Sequence, residues 1–338
     1  MVYNRIVITE FGSPDVLEII EETILPEPGP GQVRVKVLAS GVAFTDTMIR
    51  KGQYPDVKQK PPFSPGYDLV GVIDKLGDGV TDLALGQRVA ELTVTGAHSE
   101  YLCLDADNLV PVPDPLDPAE AVSLVLSYVT AHQMLHRVAS VQPGERILVH
   151  GAGGAVGSAM LQLGQLLDLE MYGTASQPKH DLVSELGATP IDYKHEDFVE
   201  RITAETGDGV DAVFDPIGGE HFKRSFQTLR RGGKLVAYGF YNAVMGHGGS
   251  VPLDFIRLQL WKFLPNGRST AFYSIGPWRH KHPDWFRQDL SDLFGLLGEG
   301  KIKPVIWKRI SLDQVPRAHK LIEQAAPQGK IIVTMDGC

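Results

Sequence analysis

The chain of 338 residues has little cysteine, a deficit of positive charge and no long apolar runs. Its two cysteines, Cys103 and Cys338, are too few for a disulfide framework or a cysteine metal centre, so a reducing cytoplasm is the expected home. Lys and Arg total 32 against 41 Asp and Glu, a formal charge of −9 that argues against nucleic acid or an anionic membrane as partner. No segment is long and apolar enough to span a bilayer, and residues 1–11 alternate apolar and polar side chains without the basic start of a targeting peptide. Repeats and low-complexity tracts are also missing. What is left is an ordinary globular composition at a length that one core seldom organises, so two domains are expected.

The first third alternates short β-branched runs, at residues 5–9, 33–38, 69–75 and 100–104, with turns dense in Gly and Pro such as 26–31. Such a rhythm predicts a β-rich barrel or sandwich. Beyond Pro143-Gly144 the rhythm changes. Strand-like 146–150 is followed by a glycine turn and helical 155–167, then strand-like 170–174 and helical 180–186, with further strands at 188–191, 210–214 and 234–238. This alternation predicts an α/β domain, a doubly wound parallel sheet with crossover helices. Residues 270–274, an amphipathic stretch at 285–297 and a strand at 330–334 are expected to return to the first domain.

Directly after the predicted strand 146–150 stands Gly151-Ala152-Gly153-Gly154-Ala155-Val156-Gly157. Early glycines in such a place allow a tight turn and close approach of backbone to a pyrophosphate. The last lets helix pack on strand, and the helix start offers unpaired N–H groups. About 20 positions on, NAD-preferring versions carry an acidic residue for the ribose hydroxyls. This chain reads Thr174-Ala175-Ser176-Gln177-Pro178-Lys179 there, with a hydroxyl and an ammonium in place of a carboxylate. NADP(H) is the expected cofactor. His132 and His136, four apart on a predicted helix, share a face, but Gln133 stands where a metalloprotease glutamate would be needed, so packing is the expected role.

Taken together, several motifs resemble the medium-chain dehydrogenase/reductase superfamily, and within it the zinc-independent quinone oxidoreductase branch. The matching pieces are Gly41-Val42-Ala43-Phe44-Thr45-Asp46, Gly52-Gln53-Tyr54-Pro55, Pro65-Gly66-Tyr67-Asp68, Leu126-Ser127-Tyr128-Val129-Thr130-Ala131, the glycine turn, Asp215-Pro216-Ile217-Gly218 and Gly329-Lys330-Ile331. The resemblance implies a GroES-like catalytic domain over 1–124 and 270–338 and a Rossmann NADP(H)-binding domain over 125–269. Zinc members of the superfamily place a metal-binding Cys where this chain has Ala43, His where it has Phe44, and Gly-His-Glu where it has Gly66-Tyr67-Asp68. The cysteine quartet of their structural zinc is absent too, which leaves both zinc sites without ligands and no metal expected. Quinone oxidoreductases of this type often carry Asn where Ala43 stands, so one polar contact of the family is missing here.

The resemblance further implies a cofactor site. Thr130 would lie against the nicotinamide, Ser176, Lys179 and Tyr193 around the adenosine phosphate, and Gly239, Phe240, Tyr241 and Asn242 beside the nicotinamide ribose. Thr174, Ile217, Phe272, Tyr273, Ser274 and Lys330 would complete it. Without zinc, the fitting chemistry is hydride delivery to a quinone or a related electron-poor carbonyl, with an enone or 2-alkenal reductase as the alternative. Tyr54 is the candidate hydrogen-bond donor to the acceptor oxygen, with Tyr67 second, and Phe44 joins them as a flat aromatic wall. A small-molecule substrate and a homodimer are expected, with the apolar stretch 240–264 as an interface. From another class stands a low-turnover NADPH-binding sensor or structural protein.

Overall fold

The computed structural model describes residues 2–335; Cys338 lies outside them. The chain divides into two compact units, residues 1–129 with 284–338, and residues 130–283.

The first unit begins with a two-stranded antiparallel ribbon of β1 (Tyr3–Ile8) and β2 (Leu17–Glu22). Strands β3 (Gln32–Val42), β4 (Leu69–Leu76), β5 (Arg88–Glu91), β6 (Tyr101–Asp105) and β7 (Val110–Pro111) follow. The eleven-residue β3 is the spine: it pairs antiparallel with β4 and β6, and Val33, Val35 and Val37 alternate into the core. Side chains of period two with a buried valine face are what a half-covered sheet demands. Register shifts between Arg34 and Val35 and between Val37 and Ala39 bend the strand.

In the second unit β8 (Arg146–His150), β9 (Glu170–Ala175), β10 (Ala188–Asp192), β11 (Val210–Asp215), β12 (Leu229–Ala237) and β13 (Ser269–Phe272) form a six-stranded sheet. Its order is β10-β9-β8-β11-β12-β13 and every pairing is parallel. Helices Ala155–Leu166, His180–Glu185, Phe198–Thr206 and Glu220–Gln227 connect the strands. Ile147, Leu148 and Val149 of β8 and Val213 and Phe214 of β11 are fully buried, as expected for a sheet covered on both faces. This is the mixed α/β architecture with a doubly wound sheet that the alternation predicts. One expectation changes: the strand sought at 270–274 for the first domain instead pairs with β12 at the sheet's edge. Short and bounded by Gly267 and the helix Ile275–Lys281, it has no periodicity that would tell the two sheets apart.

The first unit resumes with helix Pro283–Gly298, β14 (Ile306–Ile310) and β15 (Lys330–Thr334), which pairs antiparallel with β3 and completes a seven-stranded sheet. Arg50, wholly buried, ties helix Phe44–Arg50 to helix Val315–Glu323: it donates to Gly12 O (3.0 Å) and Glu323 (2.5 Å) and reaches His319 Nδ1 (3.3 Å). Among the described residues, no helix is long and apolar enough to cross a membrane.

Candidate functional site

The strand order of the second unit reverses between β8 and β11, and ligands of open α/β sheets bind beyond the carboxyl ends of strands at such a point. The glycine turn lies there. Gly151 follows β8 with φ +67°, the left-handed region that favours glycine. Ala152 N–H donates to Thr174 O (3.0 Å) and Gly154 N–H to Gly151 O (2.9 Å). A Cβ at Gly157 would overlap the Gly151 carbonyl oxygen and lie 2.7 Å from Ala152 Cα, so only glycine lets the helix start this close. Ala155 and Val156 open that helix, leaving its first N–H groups without intrahelical partners.

At Gly153 the open space is filled by Lys179, whose Cδ lies 2.8 Å from where a Cβ would stand. Its alkyl chain is therefore folded across the turn, and burial lowers the ammonium's pKa. Ser176 is half-buried just after β9, and its carbonyl accepts the Lys179 N–H (2.8 Å). Tyr193, beyond β10, is 51% exposed. A turn that admits no Cβ at Gly157, a helix N-terminus and a lysine alkyl chain across Gly153 fit a dinucleotide with an added phosphate.

Two further loops meet beside the turn's neighbour strand. Tyr241 N–H donates to Pro216 O (3.0 Å) and Asn242 N–H to Ile217 O (2.8 Å), while a Cβ at Gly239 would lie 2.8 Å from Pro216 O. Phe240 stacks on Phe272, with centroids 5.2 Å apart. Ile217, Gly239, Phe240, Tyr241, Asn242 and Phe272 are thus brought together. Tyr273 turns inward: it is 1% exposed and its hydroxyl donates to Gln133 Oε1 (2.8 Å), on the helix that carries the buried Thr130. Ser274 directly precedes the helix Ile275–Lys281, without a side-chain hydrogen bond to its first turn.

Sequence reasoning named Thr174 and the motif that begins at Asp215, but passed over His150, Ser225 and His221 and the buried polar chain that joins these residues at the same strand ends. Asp215 Oδ2 accepts from Ser225 Oγ (2.6 Å) and from His221 Nδ1 (2.7 Å), and Oδ1 accepts Ile217 N–H (2.7 Å). Ser225 Oγ meets His150 Nε2 (3.0 Å), His150 Nδ1 meets Thr174 Oγ1 (3.0 Å), and Thr174 Oγ1 accepts Gly151 N–H (3.4 Å). Burial alone would raise the Asp215 carboxyl, but His221, His150 and the Ser225 hydroxyl together outweigh it and hold the group well below the usual carboxylate range. Burial pushes His150 down to about 3, so its imidazole is neutral. The ligand atoms of His150, Asp215 and His221 lie within 4.8 Å of one another, the one metal-capable group among the described residues. The signal available beforehand was slight: a polar residue ending each of two apolar strands.

In the first unit, the Tyr54 and Tyr67 hydroxyls lie 2.6 Å apart and their rings meet edge to face at 88°. Tyr67 is fully buried and Tyr54 half-buried. Burial pushes the Tyr54 phenol up to about 12 and Tyr67 well above its ordinary value, so both keep their protons at neutral pH. Phe44 begins the helix after Ala43, where Asp46 accepts the N–H of Ala43 (2.8 Å) and of Gly66 (3.1 Å). Burial raises that carboxyl to about 7. Lys330, expected at the cofactor, sits on β15 with its ammonium closed in a buried ion pair with Asp68, which also accepts Gly41 N–H (2.9 Å).

Comparison with known proteins agrees with this architecture. Residues 29–114 match the alcohol dehydrogenase GroES-like domain and residues 186–333 the zinc-binding dehydrogenase family. The chain is 32% identical to the rat synaptic vesicle membrane protein VAT-1 homolog over 97% of its own length and 83% of that protein's. It is 31% identical to rat quinone oxidoreductase, covering 96% of each. The crystal structure of Escherichia coli quinone oxidoreductase complexed with NADPH superposes with a TM-score of 0.88 at 27% identity, covering 98% of this chain and 99% of that one. The chain belongs to the medium-chain dehydrogenase/reductase superfamily, in its zinc-independent quinone oxidoreductase branch.

Proposed function

We propose that this oxidoreductase uses NADPH to reduce a quinone or a related electron-poor carbonyl compound, without zinc. The cofactor supplies the hydride. For its binding, the glycine turn and the start of helix Ala155–Leu166 offer N–H groups to a pyrophosphate, and Lys179 and Ser176 offer charge and hydroxyl to the adenosine phosphate. The relation to the NADPH-bound quinone oxidoreductase supports this cofactor.

The observation that carries the reaction class is the phenol pair. Two protonated hydroxyls share one hydrogen bond, so one O–H remains to donate. Tyr67, fully buried, is fixed by packing, and Tyr54, half-buried, presents that donor. A hydrogen bond to an oxygen that gains negative charge is what quinone or enone reduction needs in place of a metal. The side chains at the zinc-ligand positions point the same way: Phe44 and Tyr67 offer no metal ligand of the required kind, and Asp68 is engaged by Lys330.

Following NADPH oxidation across quinones, alkenals, enones and simple alcohols, with NADH for comparison, tests the proposal. Quinones are expected to be reduced fastest and alcohols left untouched. Faster turnover of enones would move the assignment to carbon-carbon double bonds, and tight NADPH binding without any acceptor would favour a sensor. A homodimer is proposed as well, supported by exposed Leu253, Ile256, Leu260 and Phe263 along and just beyond helix Val251–Trp261. Sedimentation of the full chain as a monomer would remove it.

A further inference from the structure

The hydrogen-bond chain beneath the glycine turn has a direction that can be worked out atom by atom. Asp215 is ionised and can only accept, so the single proton of the Ser225 hydroxyl goes to Oδ2. Ser225 Oγ can then only accept from its other neighbours: His221 Nδ1 (3.4 Å) directs its proton to the nearer Asp215 Oδ2, and His150, at 3.0 Å, must carry its proton on Nε2. A neutral imidazole protonated at Nε2 has a bare Nδ1, which accepts the Thr174 hydroxyl proton. Thr174 Oγ1, its proton given away, turns its lone pairs to the Gly151 N–H. Every link points the same way, from the first N–H of the glycine turn to a buried carboxylate.

The four residues come from the carboxyl ends of three adjacent strands, β9, β8 and β11, and from helix Glu220–Gln227. They are shielded by Phe198, whose ring packs 4.8 Å from His150 and 5.0 Å from His221. In such low-dielectric surroundings aligned hydrogen bonds polarise one another, so the chain acts as a unit. We propose that Ser225, His150 and Thr174 are positioning residues for cofactor binding: anchored on Asp215, they hold the Gly151 peptide in the orientation that opens the phosphate-binding turn. The functional half of this inference rests on the NADPH reading above; the proton order does not.

Two measurements test it. Histidine ¹⁵N NMR on the ligand-free, full-length protein reads the tautomer of His150, assigned by loss of its signal in His150→Gln. The expected result is the Nε2–H form in the wild type and loss of that fixed state in Ser225→Ala. NADPH dissociation constants are then compared for Thr174→Val, which removes the hydroxyl at nearly constant shape, and Thr174→Ser, which keeps it. Binding is expected to weaken about tenfold in the first and to be restored in the second. An Nδ1–H imidazole in the wild type overturns the proton order. Equal affinity in Thr174→Val and wild type overturns the positioning role. Stoichiometric zinc that is lost in His221→Ala would replace the hydrogen bonds by coordination and overturn both. A wild-type chain that does not bind NADPH overturns the cofactor reading and the positioning role with it, while the tautomer still answers for the proton order.

Discussion

The hydroxyl oxygens of Tyr54 and Tyr67 lie 2.6 Å apart, and the more buried phenol backs the less buried one. Removing Tyr54's hydroxyl takes away the donor itself, whereas removing Tyr67's only frees its partner. Tyr54→Phe should therefore lower kcat on quinones by about 100-fold, the scale of losing one oxyanion donor, and Tyr67→Phe by clearly less. NADPH affinity should not follow either loss. Steady-state kinetics with measured cofactor dissociation constants decide; unchanged turnover in Tyr54→Phe takes that hydroxyl out of the reaction.

The alkyl chain of Lys179 lies across Gly153 in the turn. Reversing its charge in Lys179→Glu should weaken NADPH by roughly tenfold or more relative to NADH, because only the former carries the extra phosphate. Equal losses for the two nucleotides, read by fluorescence titration, would detach this lysine from the added phosphate.

The space at Gly157 is filled by the Gly151 carbonyl and Ala152. A methyl group there forces the helix away from the turn. Gly157→Ala is expected to cost about 1–3 kcal/mol in denaturant unfolding and to abolish measurable NADPH binding. A variant as stable as wild type would mean that the turn yields more readily than its packing implies.

Burial holds His98 down to about 4 and His150 down to about 3, and lowers His319 well below 6.5. The folded state then binds fewer protons than the unfolded chain. The stability these groups contribute is complete above about pH 6.5 and is lost as pH falls, at up to ~1.4 kcal/mol per pH unit for each histidine. Asp46 opposes them. Its raised pKa of about 7 favours the folded state at low pH and is lost as pH rises from 3.8 toward 7. Three groups outweigh one, so the thermal midpoint should fall between pH 7 and pH 5, and a scanning calorimetry series that stays flat would contradict this balance.

The Lys330–Asp68 pair is sealed from solvent. Lys330→Met strands a buried carboxylate and should destabilise the protein by about 3–5 kcal/mol, while adding Asp68→Asn should recover part of the loss. Urea unfolding of both variants checks the order. If the double variant is no more stable than the single one, the damage comes from packing instead of charge.

The alternation of strands, glycine turn and helices made the parallel sheet legible, because apolar runs of that length, punctuated by Gly and Pro, have few other solutions. The edge strand β13 was not, since a four-residue segment fits either sheet until its neighbour is known. The glycine turn could be read from its place after a strand. The chain from Asp215 to Thr174 could not: Ser225 and His150 are 75 positions apart, and only the crossover helices bring them together. Lys330 carried a motif but not its partner, which the antiparallel pairing of β15 with β3 decides.

Gly41 has no room for a side chain, because the Lys330 tail and the Asp68 carboxylate already occupy the place where its Cβ would project. Positions 41, 68 and 330 therefore behave as one heritable character. In a set of homologues they should change together or stay together: a lineage that shortens the residue at 330 gains space for a larger one at 41, and a lineage that enlarges 41 first has lost the pair.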